Sequence, residues 1–296
     1  MHTRIWAFTA AAVSALALTL SAQQPQSATP NKNVPTMTPS AGIEFGDDAM
    51  AKGRYRDAIV AYQRARLASK DADERVRAGA GEVKGILRMG GFASAVDEAT
   101  ALLESTPGHP QAMAILGDAL WASGRFVEAE ITYERALGID PRESRALHGR
   151  ARSLASKHQL TEALDVVRAA LQRSPKEETY LYTLADVLEQ LRRYPEAAAA
   201  LDQYVSVMTD RKVNNAARWA QAQADVLRRF GNAKPFDIDG PDQVFRLPFR
   251  IENDKILVQA QINGRAPIDV VVDTGAEHSS LTPDVARASN VEPLAV

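Results

Sequence analysis

Along most of the chain the apolar positions recur at three- and four-residue steps, the period of a helix with one buried face. Between residues 39 and 210 this pattern comes in short blocks separated by turn residues. Each block carries an alanine just after a tight turn and an aromatic residue or leucine: Ala58, Ala95, Ala129, Ala163 and Ala197, at spacings of 37, 34, 34 and 34. A fixed period of this length predicts stacked copies of one two-element unit, none able to bury its apolar face alone. One further amphipathic helix, NNAARWAQAQADVLRRF (Asn214 to Phe230), is predicted to cap the stack, with Trp219 and Leu227 inward and Gly231-Asn232 ending it. Beyond the linker NAKPFDIDGPDQ the helical period disappears. FRLPFRI, KILVQAQI and IDVVV carry branched and apolar residues at strand density, and Asn263-Gly264 predicts a two-residue hairpin turn between the last two.

The third block, AMAILGDALWASGRFVEAEITYERALGIDP, is the clearest, with Gly117, Gly124, Phe126, Ala129, Tyr133, Ala136 and Pro141 in a fixed register. The first keeps Gly46, Gly53, Tyr55, Ala58, Tyr62 and Ala65; the second keeps Gly90, Phe92, Ala95 and Pro107. The fourth keeps Leu160, Ala163, Ala170 and Pro175, and the fifth Tyr194 and Ala197. This register resembles the tetratricopeptide repeat (TPR) family over residues 39–210. The resemblance implies a helical hairpin per unit, with Gly117 and Ala129 where the two helices approach. Phe126 and Tyr133 would fill the groove between them, and Pro141 would begin the next turn. It also implies a groove lined by the first helix of each hairpin. Arg77, Lys84 and Arg88 of the second repeat and Arg145, His148 and Arg152 of the fourth are expected to face it, with Trp121 between them. Guanidinium forks there would suit an acidic or carboxylate-ended peptide. The competing reading is a solvated helical face balanced by nearby acids, with Trp121 as packing.

In the last segment, IDVVVDTGAEHSS (Ile268 to Ser280), a strand, a hairpin and a second apolar strand lead into Asp-Thr-Gly-Ala. This arrangement resembles the first half of a retropepsin-like aspartic protease. The resemblance implies that Asp273 is one carboxylate of a catalytic pair. Two such acids about 3 Å apart share one proton, so one acts as base toward water and the other donates to the scissile carbonyl. Thr274, Gly275, Ala276 and Ser279 would support the active-site loop, and the valines before Asp273 would mount it on a dry strand. His278 reads as a loop residue rather than a metal ligand or general base, and Glu277 as substrate-side surface rather than the second catalytic acid. No second Asp-Thr/Ser-Gly occurs in the chain, so the partner aspartate would come from a second molecule in a homodimer. Only 53 residues run from Val244 to Val296, fewer than a complete protomer of that family has. The expectation is therefore a fragment of a longer protein, inactive by itself.

Composition narrows the classes. The formal net charge of −2, from 35 basic and 37 acidic residues, gives no footprint for nucleic acid. There is no cysteine, which excludes disulfides, thiolate catalysis and cysteine-held zinc. No phosphate loop or metal cluster is visible, and no cofactor is expected. At the N-terminus, Arg4 precedes the apolar run IWAFTAAAVSALALTL and then SAQQ. This reads as a secretory signal cleaved near Ala22, with a retained anchor as the alternative, and implies export to a periplasmic or extracellular compartment without a membrane span after cleavage. The expected order is a signal over 1–22, a linker over 23–42, five repeats over 43–210, a cap over 211–231 and a linker over 232–243. The N-terminal part of a protease domain then occupies 244–296. The fold is mainly α: a TPR helical-hairpin solenoid followed by part of an all-β retropepsin-like domain. Two functions are open, an exported aspartic endopeptidase whose repeats recruit protein or peptide partners, and a non-catalytic TPR adaptor with a vestigial half-domain.

Overall fold

The computed structural model describes residues 37–208, 215–232, 246–274 and 280–291. The first ten helices form five antiparallel hairpins: α1 (Pro39–Ala51) with α2 (Tyr55–Ala68), α3 (Ala72–Arg88) with α4 (Phe92–Ser105), α5 (Pro110–Ala122) with α6 (Phe126–Ile139), α7 (Ser144–Ser156) with α8 (Leu160–Arg173), and α9 (Glu178–Gln190) with α10 (Tyr194–Val207). An eleventh, α11 (Asn215–Phe230), packs on α10. The first helix begins earlier than the linker boundary expected from composition. Pro39 stands at its first turn, and the Thr38 hydroxyl accepts from the Ala41 amide at 3.3 Å, so residues 39–42 are helical and Gly42 is buried.

The five marker alanines are each the fourth residue of a second helix, and all are fully buried. A side chain larger than methyl there would hold the two helices of a hairpin apart. The turn inside each hairpin needs one residue with positive φ. Gly53, Gly90 and Gly124 supply it in the first three, whereas His158 (φ 57°) and Arg192 (φ 59°) supply it in the last two.

Tyr62 and Tyr133 hold hairpins to one another. Tyr62 lies between Gly46 of its own hairpin and Gly81 of the next, where a Cβ at either glycine would stand 2.5 Å from its ring. Tyr133 lies in the same way between Gly117 and Gly149 and is wholly buried. Phe126, expected beside it in the groove, is instead 54% exposed. As the first residue of α6 it projects past the hairpin and meets the edge of Trp121 at 4.8 Å between ring centroids.

The α11 cap buries Ala217, Ala220, Ala224 and Leu227 against the last hairpin, and its chain turns at Gly231. Trp219, expected inward, is 49% exposed. Its position falls beside the stripe that Ala217, Ala220, Ala224 and Leu227 trace, and it rests on Tyr182 at 6.3 Å.

The C-terminal strands are β1 (Phe249–Glu252), β2 (Lys255–Ala260) and β3 (Ile268–Val272), in one antiparallel sheet of order β1-β2-β3. Asn253 and Asp254, both at positive φ, close the first connection in two residues. Asn263 and Gly264 also take positive φ, and the Arg265 amide donates to the Ile262 carbonyl at 3.0 Å. That turn sits within a seven-residue connection, residues 261–267, rather than joining the strands directly. The pairing of Phe249 with Val258, Ile251 with Ile256, Ile256 with Val272 and Val258 with Val270 puts an unbroken apolar set on one face. On the other face, Arg250 binds Asp269 through Nη1 at 2.7 Å, and Gln259 binds Asp269 as well. A short helix, α12 (Pro283–Ala288), follows, with the Asn263 amide donating to the Ser289 carbonyl at 2.9 Å.

Candidate functional site

The backbone of each first helix runs close to that of the next hairpin's first helix (α1 with α3, α3 with α5, α5 with α7, α7 with α9), whereas second helices stand further apart and meet through long side chains, as Arg66 of α2 does with Glu98 of α4 at 2.8 Å and Arg168 of α8 with Glu196 of α10 at 3.4 Å. The first helices therefore form the inner face of the stack. One register position on that face, counted along the same spacing as the marker alanines, reads Asp47, Lys84, Asp118, Arg152, Asp186. Acid and base alternate through all five hairpins.

The middle of this row is closed on itself. Asp118 accepts from Arg152 at 2.7 Å, Arg145 at 2.9 Å and the Tyr133 hydroxyl at 2.8 Å. Burial alone would raise its pKa, but Arg152 and Arg145 outweigh that and hold the carboxyl below the usual range. The Arg152 guanidinium also lies over the Trp121 ring at 5.1 Å. These contacts correct the expectation that Arg145 and Arg152 would grip a carboxylate from outside, because Asp118 already occupies both. His148 does not face the groove either. It is buried, stacked on Tyr180 at 4.4 Å, and hydrogen-bonded to Thr183 Oγ1 at 2.9 Å. Burial, then Arg152, pushes its pKa down to about 3, so it is neutral at physiological pH.

The second repeat differs. Arg77, Lys84 and Arg88 are exposed; Arg77 stands 3.7 Å from Asp47, and Lys84 and Arg88 make no ion pair among the described residues. Between α5, α7 and α9 the inner face opens into a cleft of about 470 Å³, walled by Trp121 and Tyr182 and floored by Arg152 and Asp186. Trp121 is half-buried and lines this cleft, so it belongs to both packing and site. Tyr182 and Asp186 were not anticipated, although Asp186 lies 34 residues after Arg152 and so shares its register.

At the sheet, Asp273 follows β3 directly, and Asp273 and Thr274 are exposed, as are Val271 and Val272. The dry mounting expected from the three valines is not formed, since β3 is an edge strand with its apolar face uncovered among the described residues. Gly275, Ala276, Glu277, His278 and Ser279 lie outside the described residues. No group of three metal-ligating side chains occurs among the described residues, and no described helix is long and apolar enough to cross a membrane.

Two family models match the chain: tetratricopeptide repeat over residues 86–144, and anaphase-promoting complex, cyclosome, subunit 3 over residues 122–204. Both lie within the hairpins, so the aspartic protease resemblance of residues 244–296 gains no support from them. No curated protein matches the chain significantly. Among solved structures, TTC0263, a thermophilic TPR protein of Thermus thermophilus, is similar with a TM-score of 0.51 at 19% identity, over 64% of this chain and 100% of its own. Yeast Tom70 gives 0.46 at 18%, over 65% and 41%, and pilF of Pseudomonas aeruginosa gives 0.43 at 17%, over 66% and 93%. The hairpins and their register, the family match and the fold of TTC0263 agree: the helical part of this chain is a tetratricopeptide-repeat solenoid.

Proposed function

We propose that the chain acts as a non-catalytic adaptor whose inner face binds a protein or peptide partner. The observation that carries this reading is the cleft between α5, α7 and α9, which has aromatic walls at Trp121 and Tyr182 and no assembled catalytic group among the described residues. Aromatic side chains that line a cleft, one half-buried and one exposed, suit a peptide side chain better than a reaction, because they supply contact area at little entropic cost. The test is affinity purification of the tagged chain from its own cells, alongside a Trp121→Ala/Tyr182→Ala variant of unchanged helicity. Co-purifying proteins lost from the variant support the adaptor; a partner set identical for both chains removes the cleft from the account.

A second reading attaches to the sheet. The β1-β2-β3 meander that leads into Asp273-Thr274 is the observation behind an aspartic endopeptidase, and homodimerisation is part of that proposal. In it Asp273 shares a proton with the same residue of a second molecule. Asp273→Asn then abolishes peptide hydrolysis, and hydrolysis that persists in this variant excludes Asp273 as catalyst. Export belongs to this proposal too, and an N-terminus near Gln23 in the mature protein is its expected signature.

A further inference from the structure

The connections of the solenoid fall on two edges, and the two differ in charge. The turns inside the hairpins, residues 52–54, 89–91, 123–125, 157–159 and 191–193, carry Lys52, Arg54, Arg125, Lys157, Arg192 and Arg193 and no acid. The connections between hairpins, residues 69–71, 106–109, 140–143 and 174–177, carry three bases and four acids. The edge of turns is also apolar at its middle. Met89 and Phe92 flank the second turn and Phe126 follows the third, each half-exposed, and Val127 beside Phe126 is more exposed still. Neighbouring turns meet in space. Met89 walls a surface depression of about 380 Å³ with Gly53 and Arg54 of the first turn. Trp121, which meets the Phe126 ring, shares the inner cleft with His158 of the fourth turn. Bases therefore lie on either side of a group of exposed apolar side chains along one line of turns.

Most of these bases have acidic neighbours: Asp48 for Lys52 and Arg54, Glu128 for Arg125, Glu130 for Lys157 and Glu196 for Arg193. The acids stand within the helices and the bases in the turns, so a surface approaching the edge meets positive charge first. These pairs are open to water, where an ion pair is weak and a dense array of anions competes with it. We propose that this edge docks on an anionic lipid surface. Met89, Phe92 and Phe126 enter the headgroup layer, and the flanking lysines and arginines lie over the lipid phosphates. A nucleic acid fits the edge less well, because Met89 and Val127 have no ring for a base to stack on and a projecting line of turns offers no groove for a strand to follow. The contact goes beyond the adaptor reading, since it uses the turns and leaves Tyr182 and Asp186 of the cleft untouched.

The test is co-sedimentation of the full chain with vesicles of phosphatidylcholine alone and of phosphatidylcholine with about 30% phosphatidylglycerol, at about 0.1 M salt. Binding should be at least about tenfold tighter to the anionic vesicles, and most of that gain should vanish at about 0.5 M salt. Lys52→Gln/Arg125→Gln/Lys157→Gln should lose the gain as well. Met89→Ser/Phe92→Ser should weaken anionic binding about tenfold while keeping its salt dependence. All five side chains are exposed, so circular dichroism should show both variants folded. The apolar run Ile5 to Leu20 is the same in every chain, so whatever it adds to vesicle binding does not distinguish them. Equal binding to the two kinds of vesicle, or anionic binding that neither variant changes, overturns the proposal. Anionic binding that depends on the bases but not on Met89 and Phe92 also overturns it, because no side chain would then enter the lipid. A single-stranded oligonucleotide bound more tightly than the vesicles, and lost in the glutamine variant, would make the edge a nucleic-acid surface instead.

Discussion

Two arginines on one half-enclosed carboxylate make Asp118 the most heavily committed side chain of the inner face. Replacing it leaves two guanidinium groups without their counter-charge, in surroundings where a severed ion pair costs about 3 kcal/mol. Asp118→Asn should lower stability by about that amount in urea unfolding at neutral pH. Its folded-state pKa is depressed below the unfolded value of about 3.9, so its contribution is complete above that value and is lost as pH falls through the folded-state pKa. The difference between wild type and variant should therefore shrink below about pH 4. A second prediction concerns the turns. His158 holds φ 57°, a conformation that costs a side chain about 1 kcal/mol and glycine nothing. His158→Gly should leave the fold intact and raise stability by about 0.5 kcal/mol, read from the same urea curves. At this scale the sequence conceals most. Arg145 and Arg152 look like ligand-binding residues until Asp118, 27 and 34 residues earlier, is seen to reach them. The 34-residue spacing was the available clue, since it puts Asp118 and Arg152 at one register position on neighbouring hairpins.

The elements follow the pattern of small residues more closely than that of large ones. Five buried alanines at the fourth position of the second helices could be located from spacing alone, because any larger side chain would break the hairpin contact. Trp219 misled for the complementary reason: on α11 the inward stripe is drawn by Ala217, Ala220 and Ala224, and weighting by size picks the wrong side. Leu227→Ala should therefore cost about 2–4 kcal/mol by opening a cavity against the last hairpin, whereas Trp219→Ala should cost under about 1 kcal/mol. Chemical unfolding monitored by helical circular dichroism separates the two. The strands were legible from their branched residues, and the turn at Asn263-Gly264 from its residue types. The length of that connection was not, because Ile262 reads as strand although it lies past the end of β2. The dryness of Asp273 was also not legible, since it depends on what covers the sheet and not on the strand itself.

Across the whole molecule the helical hairpins and the sheet differ in how much of their backbone is shielded. The hairpins carry clusters of fully buried side chains, whereas Phe249 and Ile251 on the apolar sheet face are 62% and 69% exposed. Local opening follows such contrasts, since hydrogen bonds without packed side chains above them break without the rest unfolding. Amide hydrogen exchange should show β1 to β3 exchanging at least about a hundredfold faster than the centres of α5 to α10. A mass-spectrometric exchange series on the full chain is the check, and equal protection in both parts would refute it.

The tyrosine seats have a consequence for how such an array can be lengthened or shortened. Tyr62 and Tyr133 are 71 residues apart, as are Gly46 and Gly117 and Asp47 and Asp118, while the intervening hairpin offers Ala99, Val83 and Lys84 at those places. From the first hairpin to the third the seat recurs with a period of two hairpins, although Leu201 and Ala185 stand where a further recurrence would put tyrosine and glycine. Deleting residues 143–176, a single 34-residue hairpin, would set Asp118 against Asp186 and press Tyr133 onto Thr183 in place of Gly149. Deleting residues 109–176, twice as many, would set Lys84 against Asp186 and leave Tyr62 in its seat. The shorter excision should yield the less stable protein, so this part of the chain would tolerate loss by twos.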